Sequence, residues 1–247
     1  MEMFNTKLFF SCFPRLLARL PITLVIVAVA FACGFLLALL IAAARLYRVP
    51  VLSWVAVAYT SFVRGIPILV LLFIVYVGLP LPLLLARAGL DINHWDTLVF
   101  VLIAYTMSEA AFQSEIIRSA IIAVDPRQVE AARSVGLTSW QAFRRIVAPQ
   151  AVQIALPSLG NVLVSLLKDT SLAYSLGVID VIGIITSIRI RTNRSLEAYT
   201  AAAILFLTLS FLMELLFQHL NRRMGAGKGA QGRQCWTGLM LRGRRAI

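Results

Sequence analysis

Acidic residues are scarce in this chain. Its 247 residues hold 11 Asp and Glu against 23 Lys and Arg, a formal net charge of +12, and charged residues of both signs make up only 14%. With 60% hydrophobic residues and a mean hydropathy of +0.86, this excludes a soluble domain, for which roughly 45–50% apolar is usual. Histidine is nearly absent. His94 and His219 both stand at the ends of apolar runs. No nucleophile–base or metal cluster sits at membrane depth, which argues against a membrane-embedded hydrolase or transferase. The three cysteines, Cys12, Cys33 and Cys235, are scattered; no pair has metal-ligand or redox spacing. No Gly-x-x-x-x-Gly-Lys-[Ser/Thr] run occurs, so the chain has no ATP-binding loop of that kind.

Uncharged runs long enough to cross a bilayer, about 20 residues, are abundant. The first span is expected over 22–44, too long for the core of a cleaved signal. Residues 1–21, with Lys7, Arg15 and Arg19 among Phe and Leu, read as an interfacial segment. The second span is expected over 66–84, preceded by a short helix from 51 and broken at its far end by Pro80 and Pro82. A polar loop over 87–96 follows. The third span is expected over 97–117, the fourth over 150–167 and the last over 198–220. Segment 172–188 is apolar but interrupted by Gly177, Asp180 and Gly183; it reads as a re-entrant or surface element.

The basic residues order these spans. They crowd at Arg45 and Arg48, in the 125–149 stretch, and in the 224–247 tail, which reads as disordered. Five crossings place all three on the cytoplasmic side, as the positive-inside rule requires, with the N-terminus outside. A sixth crossing by 172–188 would move the tail out of the cytoplasm. The positive charge is therefore a topology signal, not a nucleic-acid footprint.

Residues 125–149 form a polar island. Asp125-Pro126-Arg127-Gln128 spells a helix start: Asp at the N-cap, Pro at the first helical position, and Gln able to reach back. Gly136 is placed to end that helix in the left-handed conformation. Thr138-Ser139-Trp140-Gln141 is a second capping box. The second helix is expected to stop before Pro149, with Arg144 and Arg145 as its cationic end. Ala131 and Ala132 keep the first helix thin, so that another backbone can approach. A DNA-binding helix-turn-helix has a similar look, but this unit is tethered to membrane at both ends and has no third helix.

Glu130-Ala131-Ala132, Gly136, Ile146 and Pro149 resemble, at the same spacing, the signature loop of the permease subunits of bacterial ABC importers, with Ala148 where Leu is usual. Tyr59 with Arg64-Gly65-Ile66-Pro67, the run Ala111 to Glu115 with Arg118, and above all Lys168-Asp169-Thr170-Ser171-Leu172 are similar to segments of the polar amino-acid branch. The resemblance covers about residues 16–223. It implies an all-α, type I importer transmembrane domain of about five spans over 22–223, in the bacterial inner membrane, with the island as a cytoplasmic coupling helix. The implied coupling residues are Glu130, Ala131, Ala132, Gly136, Arg144 and Pro149. The implied partners are a cytoplasmic ATPase dimer carrying the ATP and Mg, a second permease subunit and a periplasmic amino-acid-binding protein. With Ala148 in place of Leu, the loop loses packing volume, which bears on how tightly it docks and not on whether it docks.

A charge at the bilayer centre costs roughly 2.5–3.5 kcal/mol on insertion scales, so each needs a reason. Glu115 and Arg118, three apart, are expected to pair. Glu109 has two readings: an ion pair with Lys168 or Arg64, or a contact to a substrate ammonium. Lys168, Asp169, Thr170 and Ser171 carry both charges and two hydroxyls. They read either as a capped helix end or as a set able to hold a zwitterion.

Overall fold

The computed structural model describes residues 4–78 and 96–225. The proline break at Pro80 and Pro82, the loop with His94, Cys235 and the tail beyond 225 lie outside the described residues. Helix α1 runs Thr6–Leu46, α2 Leu52–Gly65, α3 Ile68–Phe73 with a π turn Ile74–Gly78, and α4 Thr97–Ile122. Helix α5 is Pro126–Ser134 and α6 is Ser139–Ala142, continued by a π turn Phe143–Val147 into α7, Ala148–Asp169. A 3-10 segment Thr170–Leu176, α8 Val181–Thr192 and α9 Ser195–Gly225 complete the order. Among the described residues, 4 helices are long and apolar enough to cross a membrane, and 5 if α2 and α3, bent by 114° at Ile66-Pro67, count as one broken span.

No break separates residues 6–21 from the first span. Pro14 and Pro21 sit inside α1, which holds 41 residues and is about 62 Å long, twice the ~30 Å hydrocarbon thickness. Each proline forfeits one backbone hydrogen bond, yet buried Cys12 and Leu16 pack on Val181, Ile185, Ala198 and Ala201 of α8 and α9, and hold the helix in register. The N-cap is Asn5, whose side chain accepts from Leu8 N at 3.1 Å. Its own N–H donates to Glu197 Oε1 at 2.9 Å, an oxygen that also accepts from Arg194.

Helix α1 packs along α4. Ala30, Gly34, Ala38 and Ala42, four apart, are all buried in α1. A stripe of small residues lets two backbones come close, which drives helix association in lipid. At Gly34 the approach is closest: a Cβ there would lie 2.6 Å from Glu109 Cβ and 3.2 Å from Ala110 N. The central core joins Ile26, Val63, Leu72, Val101, Tyr105 and Leu167.

Helix α8 holds 12 residues, about 18 Å, too short to cross. Its N-cap Asp180 accepts from Gly183 N at 2.9 Å, after Gly177 turns the chain at φ +91°. Val181, Ile185 and Ile188 are buried, so α8 packs one face on the bundle, whereas Ser175, Gly177 and Ile179 of the irregular stretch before it are exposed.

Candidate functional site

The elbow is built by local hydrogen bonds. Asp125 caps α5 by accepting from Arg127 N at 3.0 Å. Gln128 does not reach back to the cap; its Oε1 accepts from Gln150 Nε2 at 2.7 Å and ties α5 to α7. At the far end, Leu137 N donates to Ala132 O at 3.1 Å and Gly136 N to Arg133 O at 3.0 Å. With Gly136 at φ +88°, this is a Schellman C-cap. Thr138 and Gln141 then exchange the two bonds of a capping box, at 2.9 and 3.3 Å. Arg133 reaches across the turn to Ser139 Oγ at 3.0 Å.

Two expectations fail beyond that point. The second helix does not end before Pro149. The π turn Phe143–Val147, closed by Ala148 N donating to Phe143 O, widens the helix. Pro149, which has no N–H to give and a ring that needs room, enters at the start of α7. Arg144 and Arg145 therefore lie within a continuous helix and meet no C-terminal dipole. The Ala148 side chain lines an apolar cleft with Phe35, Leu39, Ile121 and Phe143. Its missing volume faces the protein's own helices, so it gives no reason for looser docking.

The elbow's surface is mixed. Ala132 is buried, whereas Glu130, Ala131 and Arg144 are exposed. Val135 and Trp140 are 78% and 66% exposed, with Trp140 stacked on Phe143 at 5.9 Å. A cleft of ≈ 670 Å³ opens beside them, lined by Ala131, Val135, Ile146 and Pro149 among others. The capped turn thus exposes one carboxylate, Glu130, and two large apolar side chains, Val135 and Trp140.

Within the spans, Glu115 takes two partners. Arg118 is the expected one, and Arg45 of α1 is the other; no local pattern points to Arg45, which is 70 residues away. Glu109 meets neither Lys168 nor Arg64. It is buried, and its Oε2 accepts from Gln113 Nε2 at 2.6 Å. This partner lies one helical turn on and was legible at i,i+4 spacing. Arg64 instead lies over the Phe112 ring, 5.5 Å from its centroid, a cation–π contact.

The Lys168–Ser171 set divides. Thr170 is buried and donates to Leu167 O at 2.7 Å. The Asp169 carbonyl accepts from Tyr105 OH at 2.5 Å, and the Asp169 and Ser171 side chains are half-buried. Lys168 turns away into a groove of ≈ 450 Å³ between α7 and α9, together with Asn161, Ser165, Glu214, Gln218 and Asn221. The four residues do not converge on one cavity. Among the described residues no three His, Cys, Asp or Glu gather as metal ligands.

The chain is thus a bundle of apolar helices that carries a capped helical elbow between two of its spans. Residues 34–226 match the family of binding-protein-dependent transport system inner membrane components, and the chain belongs to that family: it is an inner-membrane permease subunit of an ABC importer. It is 43% identical over 211 residues to the L-cystine transport system permease protein TcyL of Bacillus subtilis (strain 168), covering 85% of this chain and 87% of that one. It is 32% identical over 230 residues to the nopaline transport system permease protein NocM of Agrobacterium fabrum, covering 90% and 95%. The fold matches a chain in the crystal structure of an amino acid ABC transporter with histidines, at TM-score 0.78 and 30% identity, covering 90% of this chain and 99% of that chain. It also matches the inward-facing MetNI methionine transporter at TM-score 0.65 and 20% identity, a likeness of fold alone.

Proposed function

We propose that this chain is the transmembrane subunit of an ATP-driven importer of polar amino acids. It forms the translocation pathway with a second permease subunit and opens it alternately to either side. The elbow of residues 125–149 docks on a separate cytoplasmic ATPase dimer, which binds ATP and Mg, and a periplasmic binding protein delivers the amino acid. The N-terminus lies in the periplasm and the C-terminus in the cytoplasm, the side where Arg45, Arg48 and the elbow's arginines collect.

The observation that carries this reading is the elbow itself. Its turn is fixed by a Schellman cap and a capping box, yet Glu130, Val135 and Trp140 point outward. The relatives named as permease proteins for L-cystine and for amino acids support the substrate class. The test is assembly with candidate ATPase subunits, followed by binding-protein-stimulated ATP hydrolysis in liposomes. Glu130→Lys is expected to leave the permease folded and to lower stimulated hydrolysis about tenfold or more, as loss of one central interface residue does. Unchanged assembly and unchanged coupled hydrolysis would refute docking at the elbow.

A further inference from the structure

We propose that the cleft between α1 and α2 binds an anionic phospholipid of the cytoplasmic leaflet, with one acyl chain in the cleft and the phosphate at Arg48. The leaflet rests on the orientation given above; the site itself does not depend on it.

The cleft is made by side-chain size. The short turn 47–51 joins α1 to α2, and residues of both helices line a cavity of ≈ 730 Å³, within the ~300–1,000 Å³ of small-molecule sites. Buried Ala44 and Ala56 form its floor, and Leu37, Leu40, Leu52 and Val55, all exposed, form its rim. From Leu37 to Tyr47 it follows α1 for about 15 Å, the depth of one leaflet of a ~30 Å hydrocarbon core. Its walls offer a polar ligand little. The Tyr59 hydroxyl is already donated to Met107 O at 2.6 Å, and Tyr47 is exposed at the turn; every other lining side chain is apolar. Such walls suit hydrocarbon.

The charge at the turn decides which lipid. Arg48 is exposed and stands between Tyr47 and Val49, which both line the cleft. Its neighbour Arg45 is held by Glu115, whereas the Arg48 side chain has no ion pair among the described residues. No acidic residue occurs between positions 3 and 90, so neither α1 nor α2 neutralises it. A free cation at the end of an apolar slot of leaflet depth matches a phosphate joined to an acyl chain. Tyr47 and Trp54, each 75% exposed, stand at the same end, as aromatic side chains do at head-group level. A second permease subunit fits this face less well. Helices in lipid close on one another across small residues, and here the small residues lie beneath a rim of leucine and valine. The small face of α1, Ala30 to Ala42, is already taken by α4.

The purified permease–ATPase complex, delipidated and titrated with dioleoylphosphatidylglycerol or dioleoylphosphatidylcholine, tests this by native mass spectrometry. Wild type is expected to hold the anionic lipid about fivefold more tightly, the gain from one arginine near a negative head group. Arg48→Gln, at an exposed position, is expected to remove that preference and to keep assembly with the ATPase. Ala43→Phe, which fills the cleft, is expected to weaken dioleoylphosphatidylglycerol severalfold and to leave dihexanoylphosphatidylglycerol, whose chains are short, unchanged. Inorganic phosphate is expected not to displace the long-chain lipid. Equal affinity for the two dioleoyl lipids in wild type, an unchanged preference in Arg48→Gln, or displacement by phosphate would each overturn the site and leave the permease reading standing. So would disulfide cross-linking of Ala43→Cys to a second copy of this chain, in a background whose three native cysteines are replaced by serine. In that background, labelling of Arg48→Cys by a membrane-impermeant maleimide from outside intact cells would overturn the leaflet, and with it the orientation given above. A wild-type chain that joins no ATPase refutes the permease reading instead, and the same titration on the chain alone then decides the site.

Discussion

Asp180 shows how one side chain can cap a helix and still stand against the fold. It is fully buried, its Oδ1 accepts from Gly183 N, and its Oδ2 has no partner among the described residues. Burial pushes its carboxyl up to about 6, against the bonds from Gly183 and Ile182 that pull it down. The fold therefore prefers the protonated acid. Its contribution is greatest below the ordinary aspartate value of about 3.9 and is lost as pH rises from there to about 6, because the native state holds the proton that the unfolded chain releases. The expected loss across that window is of the order of 2–3 kcal/mol. Asp180→Asn keeps the Oδ1 acceptor and has no proton to lose. Thermal unfolding of the purified protein between pH 4 and 7 should show a falling Tm for wild type and a flatter profile for the variant. That Asp180 caps a helix could be suspected from Asp180, Gly183 and the apolar run between them. That its second oxygen is buried depends on chain far away in sequence, and no local pattern carries it.

At the scale of elements, the elbow's caps were plain in the sequence because each is a bond between residues within six positions. Asp125, Gly136 and the Thr138–Gln141 box all stand where the pattern put them. The reading failed at Pro149 for a physical reason. Proline is a stop signal only while the helix before it keeps an α pitch, and the π turn Phe143–Val147 relaxes that condition; π turns leave little mark on composition and recur at functional sites. Pro149→Ala restores a donor and removes the ring. It is expected to let the π turn tighten to α pitch, which turns the elbow about 100° about the helix axis relative to α7. Stability should be equal or slightly higher, since alanine restores a backbone donor at a site where the first turn and the π turn already spare proline most of its cost, while binding-protein-stimulated ATP hydrolysis falls severalfold. A variant that couples normally would show the π turn to be dispensable.

The molecule as a whole is held by α1. Asn5 at one end is tied to Glu197 of α9, and Arg45 at the other to Glu115 of α4. Glu115→Gln leaves Arg45 and Arg118 half-buried and without the carboxylate between them. The expected cost is about 1–3 kcal/mol, kept modest by partial exposure, and is read as a fall in Tm in detergent, with wild type losing part of that difference in high salt. In place of the second span, expected over 66–84, stands a pair of helices bent by 114° at Ile66-Pro67, and residues 79–84 lie outside the described residues. The first, third, fourth and last spans were legible because apolar runs of bilayer length are a one-dimensional signal. The continuity of α1 was not, since Arg15, Arg19 and two prolines read locally as a boundary; nor was the α7–α9 groove, whose walls lie some 50 residues apart.

Residues Ser139–Leu176 are one unbroken helical rod, and it runs from the outward face of the elbow to Lys168 with no loop to absorb movement. Pro157 stands inside α7, where a missing hydrogen bond makes bending cheapest. Taken as a fulcrum, it divides the rod into an arm of about 25 Å to Trp140 and one of about 16 Å to Lys168. A push of a few ångströms at the elbow would then be taken up as a bend at Pro157, so the long arm can follow a docked partner while the short arm keeps Lys168 in place.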